Sequence, residues 1–245
     1  MQNPFSLKGK SILVTGASSG IGQQVAISLS EQEATVIIAG RNQDRLNETF
    51  SKLNGNGHVS FVADLSDDKQ VKELVQKIPG NVNGVVHAAG VTSHMPAQLI
   101  GSKQLDDVFK INFYAPILLN RYLLSTRKLA DGSSIVFFST IATLHPYYGG
   151  SLYTSSKKAI EGYSLTLALE LASRKIRCNC LSPAMVETPM LERTAQTISA
   201  EALEGMRAIH PLGFGTTVDI ANAVTFLVSD AGKWITGSNI VMGGF

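Results

Sequence analysis

A tyrosine and a lysine stand four residues apart in the segment YTSSK, at Tyr153 and Lys157. On a helix, residues at positions i and i+4 share a face, so the ammonium group would lie beside the phenol. A free tyrosine titrates near pH ~10, and a neighbouring positive charge favours the phenolate and lowers that pKa. The pair is therefore a candidate for proton transfer, although both residue types are also ordinary on helix surfaces.

A glycine-rich segment, TGASSGIG, spans Thr15 to Gly22. It follows the apolar run Ser11–Thr15, which predicts a buried parallel strand, and it precedes apolar residues at helical spacing. Glycines let a backbone turn tightly and approach a pyrophosphate, and the next helix supplies free N–H groups. The spacing GxxxGxG differs from the general GxGxxG fingerprint, but its position favours a dinucleotide site over a plain turn.

The elements that must position these residues alternate between strand and helix. Further strands are predicted at Thr35–Ala39, Val59–Ala63, Gly84–Ala88, Ser134–Ser139, Ile176–Leu181 and Asn239–Met242, and helices at Asp67–Ile78, Ser151–Ala172 and Thr217–Ser229. This alternation predicts one α/β domain over residues 1–245, a doubly wound parallel sheet with helices on both faces. Ligands of such sheets bind at the carboxyl ends of the strands.

Six segments, in order, resemble the short-chain dehydrogenase/reductase family over nearly the whole chain. They are TGASSGIG, His87-Ala-Ala-Gly90, Asn112 in KINFYAP, the Tyr153/Lys157 pair, Ser182-Pro183-Ala184 with Thr188 and Met190, and Gly237 with Gly243-Gly244. The resemblance implies a Rossmann fold and an NADP- or NAD-dependent oxidoreductase. Within the family, 3-oxoacyl-carrier-protein reductases are the nearest general resemblance.

The resemblance also implies catalytic roles. Tyr153 would give a proton to the substrate oxygen, Lys157 would lower the tyrosine pKa and hold the cofactor ribose, and Asn112 would help hold a proton-relaying water. A hydroxyl that steadies the substrate oxygen is expected thirteen residues before the tyrosine, which is Thr140. The neighbouring Ser139 is the residue type usual in the family and is the alternative, because adjacent strand residues point opposite ways.

The end of the second strand, Ala39-Gly40-Arg41-Asn42, lacks the carboxylate that marks NAD by binding the ribose 2′-hydroxyl. Arg41 offers donors for a 2′-phosphate, so NADP(H) is the predicted cofactor; otherwise Arg41 only solvates a strand end. The predicted cofactor contacts are Gly16, Ser18, Ser19, Gly20, Ile21, Gly22, Arg41, Asp64, Leu65, Ala89, Gly90, Tyr153, Lys157, Pro183, Val186 and Thr188.

Residues 188–215 form the longest insertion between a strand and the next helix, and we interpret them as a substrate lid. Two segments depart from the family pattern: His87 and Ala88 replace two asparagines, and PLGFG (211–215) lacks a common arginine. We interpret His87 as structural. The candidates for substrate contacts are His94, His145, Tyr147 and Tyr148.

Composition excludes several classes of function. A net charge of +2 gives no reason to expect nucleic acid or an anionic membrane as a partner. No apolar run approaches the ~20 residues of a membrane span, and the N-terminus lacks a signal-peptide core, so a cytoplasmic location is expected. Cys178 and Cys180 flank one residue of a predicted strand and are interpreted as core residues, so no metal site is expected.

The sequence thus predicts an NADP(H)-dependent reductase or dehydrogenase acting on a small-molecule carbonyl or secondary alcohol. A sugar-nucleotide epimerase or dehydratase, and a cofactor-binding regulatory protein without turnover, are the alternatives. Leucines lie on more than one face of the predicted helix Ser151–Ala172, so its apolar surface is wider than a single buried stripe. A homodimer or homotetramer, paired through this helix as in relatives, is therefore expected.

Overall fold

The computed structural model describes residues 3–195 and 200–244, which contain a seven-stranded sheet in the order β3-β2-β1-β4-β5-β6-β7. The strands are β1 (Ser11–Thr15), β2 (Thr35–Gly40), β3 (Val59–Val62), β4 (Val82–His87), β5 (Leu129–Phe138), β6 (Arg177–Pro183) and β7 (Asn239–Met242). Every neighbouring pair is parallel. The predicted doubly wound α/β fold is confirmed.

Helices connect the strands on both faces of the sheet. They are α1 (Gly20–Glu31), α2 (Gln43–Phe50), α3 (Asp68–Lys77), α4 (Ser102–Phe109), α5 (Ala115–Ser125), α6 (Ser151–Glu170), α7 (Pro189–Ala195), α8 (Ala200–Ala208) and α9 (Thr217–Val228). A π-helical turn, Lys110–Tyr114, joins α4 to α5.

Two apolar clusters fill the space between the sheet and its helices. One packs α3, α5 and α6 against the sheet, and the other packs α1, α2 and α9 against the opposite face. Consecutive residues of β1 divide between them: Leu13 faces the first cluster, and Ile12 and Val14 face the second. Because both faces are covered, the strands are continuous apolar runs rather than alternating ones.

The predicted element bounds are mostly within two residues of those observed. The exception is β5, which begins at Leu129, five residues before the prediction, because Asp131-Gly132 interrupts its apolar run without ending the strand. Asp67 lies just outside α3 and caps it, accepting hydrogen bonds from the Lys69 and Gln70 N–H groups.

The strand order reverses between β1 and β4, since β2 and β3 lie to one side of β1 and β4 to β7 to the other. At such a reversal the connections leave in opposite directions and open a crevice at the carboxyl ends of the strands. The segments that follow β1 and β4 therefore border the candidate site.

Candidate active site

The glycine loop after β1 is held in contact with the end of β4. Gly16 has φ 66°, and a Cβ atom there would lie 2.6 Å from the Ala89 nitrogen. A Cβ on Gly22 would lie 2.3 Å from the Gly16 carbonyl oxygen. Both distances are too short for any side chain, so the two positions require glycine and bring α1 directly under the loop.

The N-terminus of α1 is suited to an anion. Ser19 is its N-cap but makes no side-chain capping bond, and the first turn carries no acidic residue. The first N–H groups of a helix lack intrahelical partners, and the helix dipole places partial positive charge there. A pyrophosphate fits this combination of free donors and close glycine backbone.

A groove of about 500 Å³ runs from the glycine loop across the carboxyl ends of the strands. Its lining includes most of the predicted cofactor contacts: Gly16, Ser18, Ser19, Gly20, Ile21, Gly22, Arg41, Leu65, Ala89, Gly90 and Thr188. Five predicted contacts are not part of this lining: Asp64, Tyr153, Lys157, Pro183 and Val186. The groove therefore lies where a dinucleotide binds in this type of fold.

The Asp64 carboxylate is already engaged, because its Oδ1 accepts hydrogen bonds from the Ser66 N–H (2.9 Å) and hydroxyl (2.7 Å). It closes the turn after β3, and its neighbour Leu65 faces the groove instead. Ala63 and Leu65, rather than Asp64, thus line that end of the groove.

A second arginine, Arg45, lines the groove together with Arg41 and was not found from the sequence. It lies in the first turn of α2, and its N–H donates to the Asn42 side chain that caps this helix. Arg41 precedes the cap, so the rule that helical residues four apart share a face does not relate the two arginines. Two arginines therefore lie at this end of the groove.

Tyr153 and Lys157 lie one turn apart on α6, as the spacing predicts. The Lys157 ammonium is 5.9 Å from the centre of the Tyr153 ring and donates to the Phe138 carbonyl at 2.9 Å. Lys157 is only 6% exposed, and burial lowers its pKa to about 8, partly offset by the nearby Cys180. The lysine is thus held at the end of β5.

The pKa of Tyr153 is raised to about 12, by burial first and by the neighbouring Tyr147 second, while a hydrogen bond from Thr140 acts in the opposite direction. The expectation that Lys157 depresses this pKa is not met by this arrangement. The physical reason is that burial disfavours the phenolate, while the ammonium group is directed to the Phe138 carbonyl.

Thr140 and Ser139 point to opposite sides of the segment that follows β5. The Thr140 hydroxyl lies close enough to Tyr153 to lower the tyrosine pKa, and its oxygen accepts from the Ala142 N–H at 3.3 Å. The Ser139 hydroxyl instead donates to Glu161 at 2.6 Å. Strand alternation predicts this divergence. Thr140 is therefore the hydroxyl that lies beside the tyrosine.

Asn112 lies in the π-helical turn and is 2% exposed. Its side chain exchanges two hydrogen bonds with the Val91 backbone, both at 2.9 Å, and donates to the Ser156 hydroxyl at 3.0 Å. It therefore connects the segment after β4 to α6. π-helical turns are frequent at functional sites because they displace backbone groups from the regular ladder.

Aromatic residues border the site on the side away from the glycine loop. His94 and Tyr147 stack with ring centres 5.3 Å apart, and the Met95 N–H donates to the Gly149 carbonyl at 2.8 Å. The two segments after β4 and β5 are thereby joined. Tyr148 and His145 are exposed.

Helices α7 and α8 lie within the predicted lid, of which residues 196–199 are outside the described residues. Thr188, Pro189 and Met190 line the groove. At the other end, the Arg207 guanidinium lies 4.4 Å from the centre of the Phe214 ring. An arginine from α8 is thus stacked on the phenylalanine of PLGFG.

His87 is buried, stacked on Phe137 with ring centres 4.8 Å apart, and its Nε2 is 3.0 Å from the Asn120 Oδ1. Burial lowers its pKa to about 4, and the Asn120 hydrogen bond offsets this only in part. A neutral, stacked imidazole at the end of β4 agrees with the structural interpretation of His87.

Comparisons with known proteins agree with this geometry. A family model described as enoyl-(acyl carrier protein) reductase matches residues 16–245. The chain belongs to the short-chain dehydrogenase/reductase family. It is 30% identical to the 3-oxoacyl-(acyl-carrier-protein) reductase FabG of Thermotoga maritima, covering 97% of this chain and 98% of that one.

Other relatives carry different names. Dehydrogenase/reductase SDR family member 4 of Homo sapiens is 30% identical, with 97% of this chain and 87% of that one covered. The crystal structure of a dehydrogenase/reductase from Sinorhizobium meliloti 1021 superposes with a TM-score of 0.87 at 30% identity, covering 98% and 96% of the two chains.

The protein is thus a short-chain dehydrogenase/reductase, a family whose members bind a nicotinamide cofactor and act on small molecules. Among residues 3–195 and 200–244, no helix is long and apolar enough to cross a membrane. Within the same ranges, no three His, Cys, Asp or Glu side chains gather as metal ligands would.

The pH dependence of stability should report the burial of His87. Its pKa falls from 6.5 to about 4 on folding, so protons favour the unfolded chain. The stability gained by keeping His87 neutral is fully present above pH ~6.5 and is lost as the pH falls towards 4. It amounts to about 3 kcal/mol of the free energy of unfolding. In urea unfolding at pH 7 and pH 4, the free energy of unfolding of the His87→Phe variant should change less with pH than that of the wild type. The exposed His145→Phe should behave like the wild type, and an equal pH dependence in all three would contradict the prediction.

Proposed function

We propose that this oxidoreductase is an NADP(H)-dependent carbonyl reductase that uses Tyr153 as its proton donor. The observation that supports this most directly is the placement of the Thr140 side chain next to Tyr153, which is itself one helical turn from Lys157. A carbonyl oxygen bound beside both hydroxyls would accept a hydrogen bond from Thr140 and the proton of Tyr153.

In the proposed reaction each residue has a separate task. Tyr153 is protonated at neutral pH, since its pKa is raised to about 12, and it gives its proton to the developing alkoxide. Lys157, with a pKa of about 8, is mostly cationic at neutral pH, and its ammonium would hold the ribose hydroxyls of the bound cofactor. Thr140 orients the carbonyl oxygen, and a nicotinamide bound in the groove would supply the hydride.

Asn112 would keep its predicted supporting role in this reaction. Its bonds to Val91 and Ser156 hold the segment after β4 against α6, next to Lys157. A Cβ atom on Gly90 would lie 3.4 Å from both the Asn112 Oδ1 and the Lys157 Nζ. A side chain at position 90 would thus press on both the Asn112 amide and the Lys157 ammonium.

NADP(H) is proposed over NAD(H) because of Arg41 and Arg45. Both line the groove at the end of β2, where NAD-binding relatives of the fold place a carboxylate. Guanidinium groups bind phosphate through paired, charge-assisted hydrogen bonds, so this corner suits the 2′-phosphate of the adenosine ribose.

The substrate is proposed to enter between the His94–Tyr147 stack and the lid, residues 188–215. The names of relatives include 3-oxoacyl-(acyl-carrier-protein) reductase and tropinone reductase homolog, and both name reduction. A small-molecule ketone or 3-oxoacyl thioester is the substrate class that these names and the Thr140–Tyr153 pair support.

A homodimer or homotetramer is proposed from the outer face of α6. Leu165 and Leu169 are 60% and 78% exposed there, one turn apart, while Ile160 and Leu167 face the core. Exposed leucines in register on a long helix favour pairing with a second helix of the same kind. A cytoplasmic location stays a prediction from the sequence.

The function is tested by NADPH oxidation against a panel of ketones, 3-oxoacyl thioesters and keto sugars. The wild type should reduce at least one of them. Tyr153→Phe should bind NADPH with unchanged affinity and lose most turnover, because only the transferable proton is removed. Lys157→Ala should lose turnover and also bind NADPH more weakly. Near wild-type turnover by Tyr153→Phe would refute the mechanism.

The choice of cofactor is tested with the two arginines. Arg41→Ala should weaken NADPH binding by about 1.5–3 kcal/mol, the contribution of hydrogen bonds between charged groups, and leave NADH binding nearly unchanged. Arg45→Ala should act in the same direction. Arg121→Ala, a surface arginine on α5, is the control, and titration of both cofactors is the measurement. Equal losses for NADH and NADPH would show that these residues do not bind the 2′-phosphate.

The role of the hydroxyl is tested by isosteric substitution. Thr140→Val keeps the shape and removes the donor, so turnover should fall by ~100-fold or more, as for a lost oxyanion donor. Thr140→Ser should keep much of the activity. Ser139→Ala should cost far less than Thr140→Val, because its hydroxyl faces Glu161. The opposite ranking of kcat values would overturn the assignment.

The assembly is tested by light scattering coupled to size-exclusion chromatography. The wild type should elute as a dimer or tetramer of the 26.2 kDa chain. Leu169→Asp should shift it towards the monomer, since a charge would be buried in the interface. Leu99→Asp, at a position 64% exposed elsewhere, should leave the mass unchanged. A wild-type monomer at micromolar concentration would exclude the proposed assembly.

A further inference from the structure

Glu161 lies on α6, one turn beyond Lys157, and its side chain is only 12% exposed. Its Oε1 accepts hydrogen bonds from the Ser139 hydroxyl at 2.6 Å and the Thr143 hydroxyl at 2.7 Å. Its Oε2 accepts from the Lys158 ammonium at 2.7 Å. One carboxylate oxygen thus accepts hydrogen bonds from two hydroxyls of the segment after β5.

These two hydroxyls flank Thr140 in the chain. Ser139 precedes it, and Thr143 closes the turn that Thr140 begins, with its N–H 3.1 Å from the Thr140 carbonyl. The same segment is tied to α6 a third time, through the Lys157 ammonium and the Phe138 carbonyl. The position of Thr140 relative to Tyr153 is therefore fixed by bonds on either side of it.

The bonds to Glu161 are the stronger kind. Partial burial raises the pKa of the Glu161 carboxyl, but the hydrogen bonds from Lys158, Ser139 and Thr143 outweigh burial and hold it below its ordinary value. Glu161 is therefore ionised at neutral pH. Hydroxyl bonds to a carboxylate are roughly twice as strong as those between neutral groups, so they can hold an irregular segment in one conformation.

We propose that Glu161 is a positioning residue of the reaction: by holding Ser139 and Thr143, it keeps the Thr140 hydroxyl at Tyr153. This proposal rests on the proposed function, because it assigns Glu161 an effect only through Thr140. A positioning role differs from a purely structural one, because loss of the Glu161 carboxylate should lower turnover and leave cofactor binding intact.

Three variants isolate the two hydroxyl bonds. Glu161→Leu removes both acceptors at similar size. Glu161→Gln keeps Oε1 for Ser139 and Thr143 while removing the charge, and Lys158→Ala removes only the ion pair at Oε2. We expect Glu161→Leu to lower kcat by roughly tenfold to 100-fold, the scale of a 1 Å misplacement, with unchanged affinity for NADPH. Glu161→Gln should restore most of the activity, and Lys158→Ala should equal the wild type.

The decisive measurement combines Glu161→Leu with Thr140→Val. If Glu161 acts through Thr140, its loss should cost little more once the Thr140 hydroxyl is gone. A full, additive loss of kcat in the double variant would overturn the proposal, as would wild-type kcat in Glu161→Leu or equal damage from Gln and Leu. Thr143→Val, which removes one donor and leaves the carboxylate, should lower kcat in the same direction if the Leu variant does not fold.

A crystal structure of the Glu161→Leu protein, or of Thr143→Val in its place, tests the positioning without turnover. Displacement of the Thr140 hydroxyl away from the Tyr153 hydroxyl supports the proposal, and an unmoved Thr140 overturns it. Failure of the proposed function is distinct: it would appear as wild-type protein that reduces no carbonyl, or as full activity in Tyr153→Phe, whatever the position of Thr140.

Discussion

The close approach of two backbones, the loop after β1 and the end of β4, is the constraint on which the rest of the site depends. Gly16 and Gly22 leave no room for a Cβ, so α1 can begin directly beneath the loop. With a larger residue at either position, the helix N-terminus and the end of β4 would separate. The end of the groove at α1 and the segment that carries Gly90 would then no longer be held in a fixed position relative to each other.

The second half of the site depends on α6, which faces both the segment after β4 and the segment after β5. Asn112 joins it to the first through Ser156, and Lys157 joins it to the second through the Phe138 carbonyl. Hydrogen bonds of buried polar groups are costly to leave unmade, so these contacts favour one arrangement over many. The tyrosine is thereby held between two segments that belong to different strands.

The sequence predicted what is governed by local rules. The strands, the glycine loop, the helical pairing of Tyr153 with Lys157 and the opposite directions of Ser139 and Thr140 all follow from spacing. Three features do not follow from spacing, because they depend on which element packs nearby: the early start of β5, the position of Arg45 in the groove and the partners of Glu161. The pKa of Tyr153 was misjudged for the same reason: spacing places the lysine near it but says nothing about burial.

Burial moves the two ionisable groups of the proposed reaction in opposite directions, since it disfavours a negative phenolate and a positive ammonium alike. Tyr153 is held as a phenol with a pKa of about 12, while Lys157 has a pKa of about 8. Near neutral pH the pair therefore consists of a proton donor beside a largely positive charge, which is the state that carbonyl reduction requires. Burial thus keeps Tyr153 in its protonated form but does not make it a stronger acid, because a phenol with a higher pKa gives up its proton less readily.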